Sequence, residues 1–108
     1  MKTKIGYLVD PVEKTVVEVE VPEGNPAIYA LLKCTTFDCI GVNVADDTVY
    51  VDDEGLFVEG QSFFHLDGYD GSLAGRGLLL GCDVTTGEAR HRPEVSLERF
   101  AERVRFEV

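Results

Sequence analysis

The segment Thr15–Val21 ends in a strict alternation: Val17, Val19 and Val21 face one way, Glu18 and Glu20 the other. A spacing of two is the side-chain period of a strand and is incompatible with one apolar stripe on a helix. The segment therefore reads as a strand with one apolar and one polar face. Lys4–Val9 reads as its partner, and Asp10-Pro11 followed by Val-Glu-Lys supplies the turn between them. The chain is expected to open on a β-hairpin.

A helix is expected next, over residues 26–34. Asn25 is a good N-cap residue, Pro26 suits the first helical position, and Ala27, Ile28, Leu31 and Leu32 make an apolar stripe. Phe37–Val44 and Thr48–Val51 read as a second hairpin around Ala45-Asp46-Asp47. Leu56-Phe57-Val58 suits a strand or a helical turn, and Ser62–Leu66 a short strand. Asp67-Gly68-Tyr69-Asp70-Gly71 reads as a loop, Leu78–Val84 as a buried strand and Thr85-Thr86-Gly87 as a turn. Ser96 can cap a final helix over 96–104, with Leu97, Phe100, Ala101 and Val104 on one face. Arg105–Val108 is either a terminal strand or a frayed tail. Strands and helices are mixed rather than alternating regularly, so the expected fold is α+β. One domain over 1–108 is expected, with a mainly antiparallel sheet and two short helices. The expected core is Val19, Ile28, Leu31, Leu32, Ile40, Val42, Val49, Val51, Leu78, Leu80, Phe100 and Val104.

The 108 residues suffice for one core without metals or disulfides, and a hydrophobic fraction of 44% is ordinary for a globular chain. No apolar run approaches the ~20 residues of a membrane span. The opening Met1-Lys2-Thr3-Lys4-Ile5-Gly6 lacks the apolar stretch of a signal peptide. With three cysteines, an odd number, this points to a reducing, cytoplasmic setting. The net charge is −10 and lies in the middle of the chain, since residues 34–75 hold nine acids and no Lys or Arg. Such a field disfavours direct contact with nucleic acid and with membrane surfaces, both anionic, and favours basic partners or cations. The plainer reading is a solubilising surface.

The motifs carry equally plain readings. Asp52-Asp53-Glu54-Gly55 puts three carboxylates together, but misses the alternate spacing and later Glu of a calcium loop. A solvated turn is the favoured reading there. Tyr69, in the oxygen-rich loop 67–71, suits either an exposed contact or a ring folded back on the core. Gly75-Arg76-Gly77 lacks the ending of a phosphate loop and precedes a strand rather than a helix, so it reads as a close backbone approach or bulge. Arg76 is the first cation after the acidic stretch and is expected to pair with one of its acids. Cys34, Cys39 and Cys82 form no zinc knuckle, and His65 and His91 have no context marking a ligand or base.

Taken in order, several segments carry a resemblance: Ile28-Tyr29, Val49-Tyr50-Val51-Asp52-Asp53-Glu54-Gly55-Leu56, Leu66-Asp67-Gly68-Tyr69, Leu73-Ala74-Gly75-Arg76-Gly77-Leu78-Leu79-Leu80-Gly81 and Ser96-Leu97-Glu98-Arg99-Phe100. The chain resembles a small domain family of unknown function found in bacteriophages and in bacterial or archaeal mobile elements. It departs from that pattern at Asp70-Gly71-Ser72, where a proline is usual before Leu73. The resemblance implies a phage or mobile-element setting inside a host cell and carries over no catalytic residue.

The expected function is an accessory module that binds the basic surface of a host or phage protein through residues 34–75. The candidate contacts are Asp52, Asp53, Glu54, Phe57, Asp67, Tyr69 and Asp70, with Phe63 and Phe64 as further candidate exposed aromatics. No metal or cofactor is expected. The alternatives are a DNA mimic that blocks a nucleic-acid-binding enzyme, or a small divalent-metal enzyme using Asp52, Asp53, Glu54, His65 and Asp67.

Overall fold

The computed structural model describes residues 3–22, 25–33, 37–44, 47–52, 61–67, 71–81, 91–93 and 95–106. The elements run β1 (Thr3–Asp10), β2 (Thr15–Pro22), α1 (Asn25–Leu32), β3 (Phe37–Val44), β4 (Asp47–Asp52), β5 (Phe63–Leu66), β6 (Leu73–Ala74), β7 (Gly77–Leu80), α2 (Leu97–Arg103) and β8 (Val104–Phe106). They form a five-stranded sheet in the order β2-β1-β7-β4-β3 and a three-stranded sheet in the order β6-β5-β8. Every pairing in both sheets is antiparallel, so the α+β reading with a mainly antiparallel sheet is correct.

The two-faced strand sits at the edge of the larger sheet, where its alternation belongs. Gly6 pairs with Val19 and Leu8 with Val17, so the valines share a face with the even residues of β1. Over that face lies α1, and Val21, Ile28, Leu32, Leu78 and Leu80 form one core layer. On the opposite face Tyr7, Val9, Val49, Val51 and Leu79 meet Phe64, Leu66 and Leu73 of the small sheet and Phe100 of α2. The large sheet is thus covered on both sides, and β7 at its centre is buried along its whole length. Packing on both faces explains why Leu78-Leu79-Leu80 is a continuous apolar run rather than an alternation.

Two glycines make this layering possible. A Cβ on Gly77 would lie 2.7 Å from Cζ of Phe64, so the phenyl ring rests on bare backbone. A Cβ on Gly6 would meet Leu80 Cδ2 at 2.9 Å on the other face. Gly75, with φ +77°, turns the chain out of β6 in the small sheet towards β7 in the large one. The expected close approach at Gly75-Arg76-Gly77 is therefore present, at a corner between two sheets.

Some expectations need correction. Phe64, offered as an exposed aromatic, is 0% exposed, because the alternation of β5 turns Phe64 and Leu66 inward and leaves Phe63 and His65 half-buried. The strand expected over Leu78–Val84 runs over Gly77–Leu80; Gly81 is buried outside it, and 82–84 lie outside the described residues. Val19 and Leu31 are only partly buried; Tyr7 and Val9, outside the expected core, join it, as does Leu79 of the strand read as buried. Ile40 and Val42 fall in β3, where the backbone alone is described. The open choice at the C-terminus resolves as a strand: Val104–Phe106 pairs with β5.

Candidate functional site

The α1 face of the large sheet ends in a row of charges. Val9 and Val51 both pair with Gly77. Continuing those registers by one residue sets Arg76 between Asp10 of β1 and Asp52 of β4. Asp52 in turn pairs with Phe37 of β3. This row forms where α1 stops, and Arg76 ties it to the helix end. Its Nη1 donates to the Leu31 carbonyl at 3.1 Å and its Nη2 to Asp10 Oδ2 at 3.3 Å. The first contact satisfies one of the carbonyls that a helix C-terminus leaves open, and the guanidinium charge also suits that end of the helix dipole.

Asp10 is 8% exposed, which for a carboxylate requires compensation. It has three partners. Oδ1 accepts from the backbone N–H of Val12 at 3.0 Å and of Glu13 at 3.2 Å, and Oδ2 accepts from Arg76. The sequence Asp10-Pro11 folds this way because an Asp side chain can bond the backbone two and three residues ahead, while Pro11 presets φ for the turn. Lys14 closes the turn at φ 58°. Arg76 was expected to pair within 34–75; its ion pair among the described residues is with Asp10, upstream of that stretch.

Together these elements wall a cleft of about 320 Å³. Asp10, Glu13, Lys33, Asp52 and Arg76 are among its lining residues. Gln61 and Gly75 line the wall towards the small sheet, and Leu32 supplies an apolar edge. Lys33 is placed by a left-handed residue, φ 54°, that ends α1.

Of the residues singled out from sequence, Asp52 lies in this cleft, half-buried at the end of β4. Asp67 lies on the small sheet instead, exposed and bound to Arg105 Nη2 at 2.7 Å. With side chains 47% and 74% exposed, that pair contributes little to stability, but it offsets the charge of Asp67. Asp53, Glu54, Phe57, Tyr69 and Asp70 lie outside the described residues. The structure thus separates Asp52 from Asp67 and His65, placing them on different sheets. Among the described residues, no three His, Cys, Asp or Glu side chains gather as a metal ion would require. Sequence reasoning missed Asp10, Glu13 and Lys33. The one signal that bears on them is Asp10-Pro11, a turn signature whose carboxylate has a second, long-range partner in Arg76.

No helix among the described residues is long and apolar enough to cross a membrane. Comparison with curated proteins and with solved structures yields no match. A family model does match, over residues 1–105. The chain belongs to the family called domain of unknown function DUF3846.

Proposed function

We propose that this chain is an accessory binding module that engages a basic protein surface through the middle of its sequence. The observation that carries this reading is the charge map. Nine acids and no Lys or Arg occupy residues 34–75, while the segments on either side are nearly balanced. The fold adds to it. The segment supplies β3, the end strand of the larger sheet, and β6, the end strand of the smaller, among the described residues. Edge strands and the loops beside them are the parts of a sheet open to partners. The proposed setting is the cytoplasm of a cell carrying a bacteriophage or mobile element, and the partner is a host or phage protein. Imitation of nucleic-acid phosphates by these carboxylates is a version of the same reading, distinguished by a partner that normally binds nucleic acid.

Affinity capture with the wild-type chain and with a variant carrying Asp52, Asp53 and Glu54 changed to Ser tests this reading. The partner purified from that capture is then followed by association kinetics. Recovery is expected to drop with the variant, and the association rate to fall several-fold as salt rises, with a smaller change in dissociation. Equal recovery by both proteins, or a rate indifferent to salt, would sink the proposal.

A further inference from the structure

We propose that the open edge of β2 accepts an extended segment of a partner protein that alternates basic and apolar residues, added as a further strand to the larger sheet. The site lies outside residues 34–75 and so goes beyond the reading above. β2 ends the strand order, so one of its edges has no strand beside it among the described residues. Register shows which groups line that edge. The Ile5 N–H donates to the His91 carbonyl at 2.7 Å rather than towards Glu20 opposite it, so it points away from β2. Backbone groups alternate sides along a strand, so the even residues of β1 bond β2, and Val17, Val19 and Val21 opposite them bond back. The N–H and C=O groups of Val16, Glu18 and Glu20 therefore point outward. Pro22 falls on the same side, where a missing N–H breaks no ladder bond. Where β1 outruns β7, His91 covers it, whereas β2 is exposed along most of its length.

The side chains select the occupant. Glu18 and Glu20 share the face of the sheet that carries α2, and Val17 and Val19 the face that carries α1. Val17 is 42% exposed. β2 has no Lys or Arg of its own. Glu18 meets Arg92 at 3.6 Å, with side chains 45% and 57% exposed, and a pair so open to water is weakly held. A second copy joined edge to edge would bring its own Glu18 and Glu20 to the same face, where like charges oppose each other. Acids on an edge thus guard it against self-pairing and still admit a strand with cations opposite them. Main-chain bonds supply the affinity of such an added strand, and its alternate side chains the specificity.

The test uses the full chain, labelled with nitrogen-15, and the peptide acetyl-Thr-Lys-Val-Arg-Val-Lys-Thr-amide as the probe. The same residues in the order acetyl-Thr-Lys-Lys-Arg-Val-Val-Thr-amide serve as the control, equal in charge but without alternation. Amide hydrogen exchange at Val16, Glu18 and Glu20 is expected to slow several-fold with the probe, while Val17 and Val19, already bonded to β1, change little. Glu18→Gln and Glu20→Gln together should weaken binding about fivefold at low salt. Glu18→Pro removes an outward N–H, so it should abolish the protection at Val16 and Glu20 and leave the melting temperature within a few degrees of wild type. If Glu18→Pro does not fold, the paired Gln variant decides. Unchanged exchange at the three outward amides, equal protection by the control peptide, or binding indifferent to the Gln changes would overturn the proposal. Protection that grows with protein concentration without the probe, alongside a doubled mass in sedimentation, would also overturn it and make a second copy the occupant.

Discussion

Gly77 and Asp10 show how single residues fix this molecule. Adding a methyl group at Gly77 drives Cβ into the Phe64 ring, which is fully buried and has nowhere to go. Gly77→Ala is expected to cost about 1–3 kcal/mol, as overpacking usually does. The check is urea unfolding in a double-mutant cycle with Phe64→Leu, in which the shorter side chain should recover part of the loss; strict additivity would contradict the close approach. Asp10→Ala should cost about 2–3 kcal/mol, because it strands two backbone N–H groups and Arg76 together. Asp10→Asn keeps an acceptor for the turn and should lose less than half as much by the same measurement. The turn at Asp10-Pro11 was legible from its residues. Its ion pair was not, because Arg76 lies 66 positions away and only strand register brings the two side by side.

At the scale of elements, local signals decided both helices. The Ser96 hydroxyl accepts from the Arg99 N–H at 3.3 Å, so the cap read from sequence is formed. Ser96→Ala should therefore destabilise the protein by about 1 kcal/mol, seen as a lower urea midpoint with an unchanged slope. Strand protection should be uneven. The central strand β7 is buried and paired on both sides, whereas β2 lies at an edge and is largely exposed. Amide hydrogen exchange should accordingly be slowest at Leu78–Leu80 and faster along β2, and the reverse order would contradict the sheet order. What sequence could not place was β5. Phe63-Phe64-His65-Leu66 reads as a strand, but which of its residues turn inward depends on packing against the larger sheet, whose strands come from segments before and after it.

At the scale of the whole molecule, net charge sets the response to salt. A charge of −10 on 108 residues makes the folded chain repel itself. Sodium chloride shortens the Debye length from ~10 Å at 0.1 M to ~3 Å at 1 M, which relieves that repulsion. The melting temperature should rise by a few degrees over that range, measured by circular dichroism, and a flat or falling trend would show that favourable ion pairs dominate instead. The surface pairs Arg92–Glu18, at 3.6 Å, and Arg105–Asp67 are too exposed to reverse the sign.

The amino-acid sequence by itself determined the first hairpin, the helix stripe of α1 and the cap of α2, because period, capping and turn chemistry act over a few residues. The alternation at Thr15–Val21, the stripe at Ile28–Leu32 and the Ser96 cap each needed nothing from the rest of the chain. It also determined the charge map, on which the proposed function rests. The tertiary structure alone decided that the strands divide into two sheets, that Phe64 covers Gly77 rather than facing solvent, and that Asp10, Arg76 and Asp52 meet in one row. Those outcomes depend on pairing between segments far apart in sequence. Such pairing is chosen by which faces can be buried together, a property of the assembled layers rather than of any one stretch.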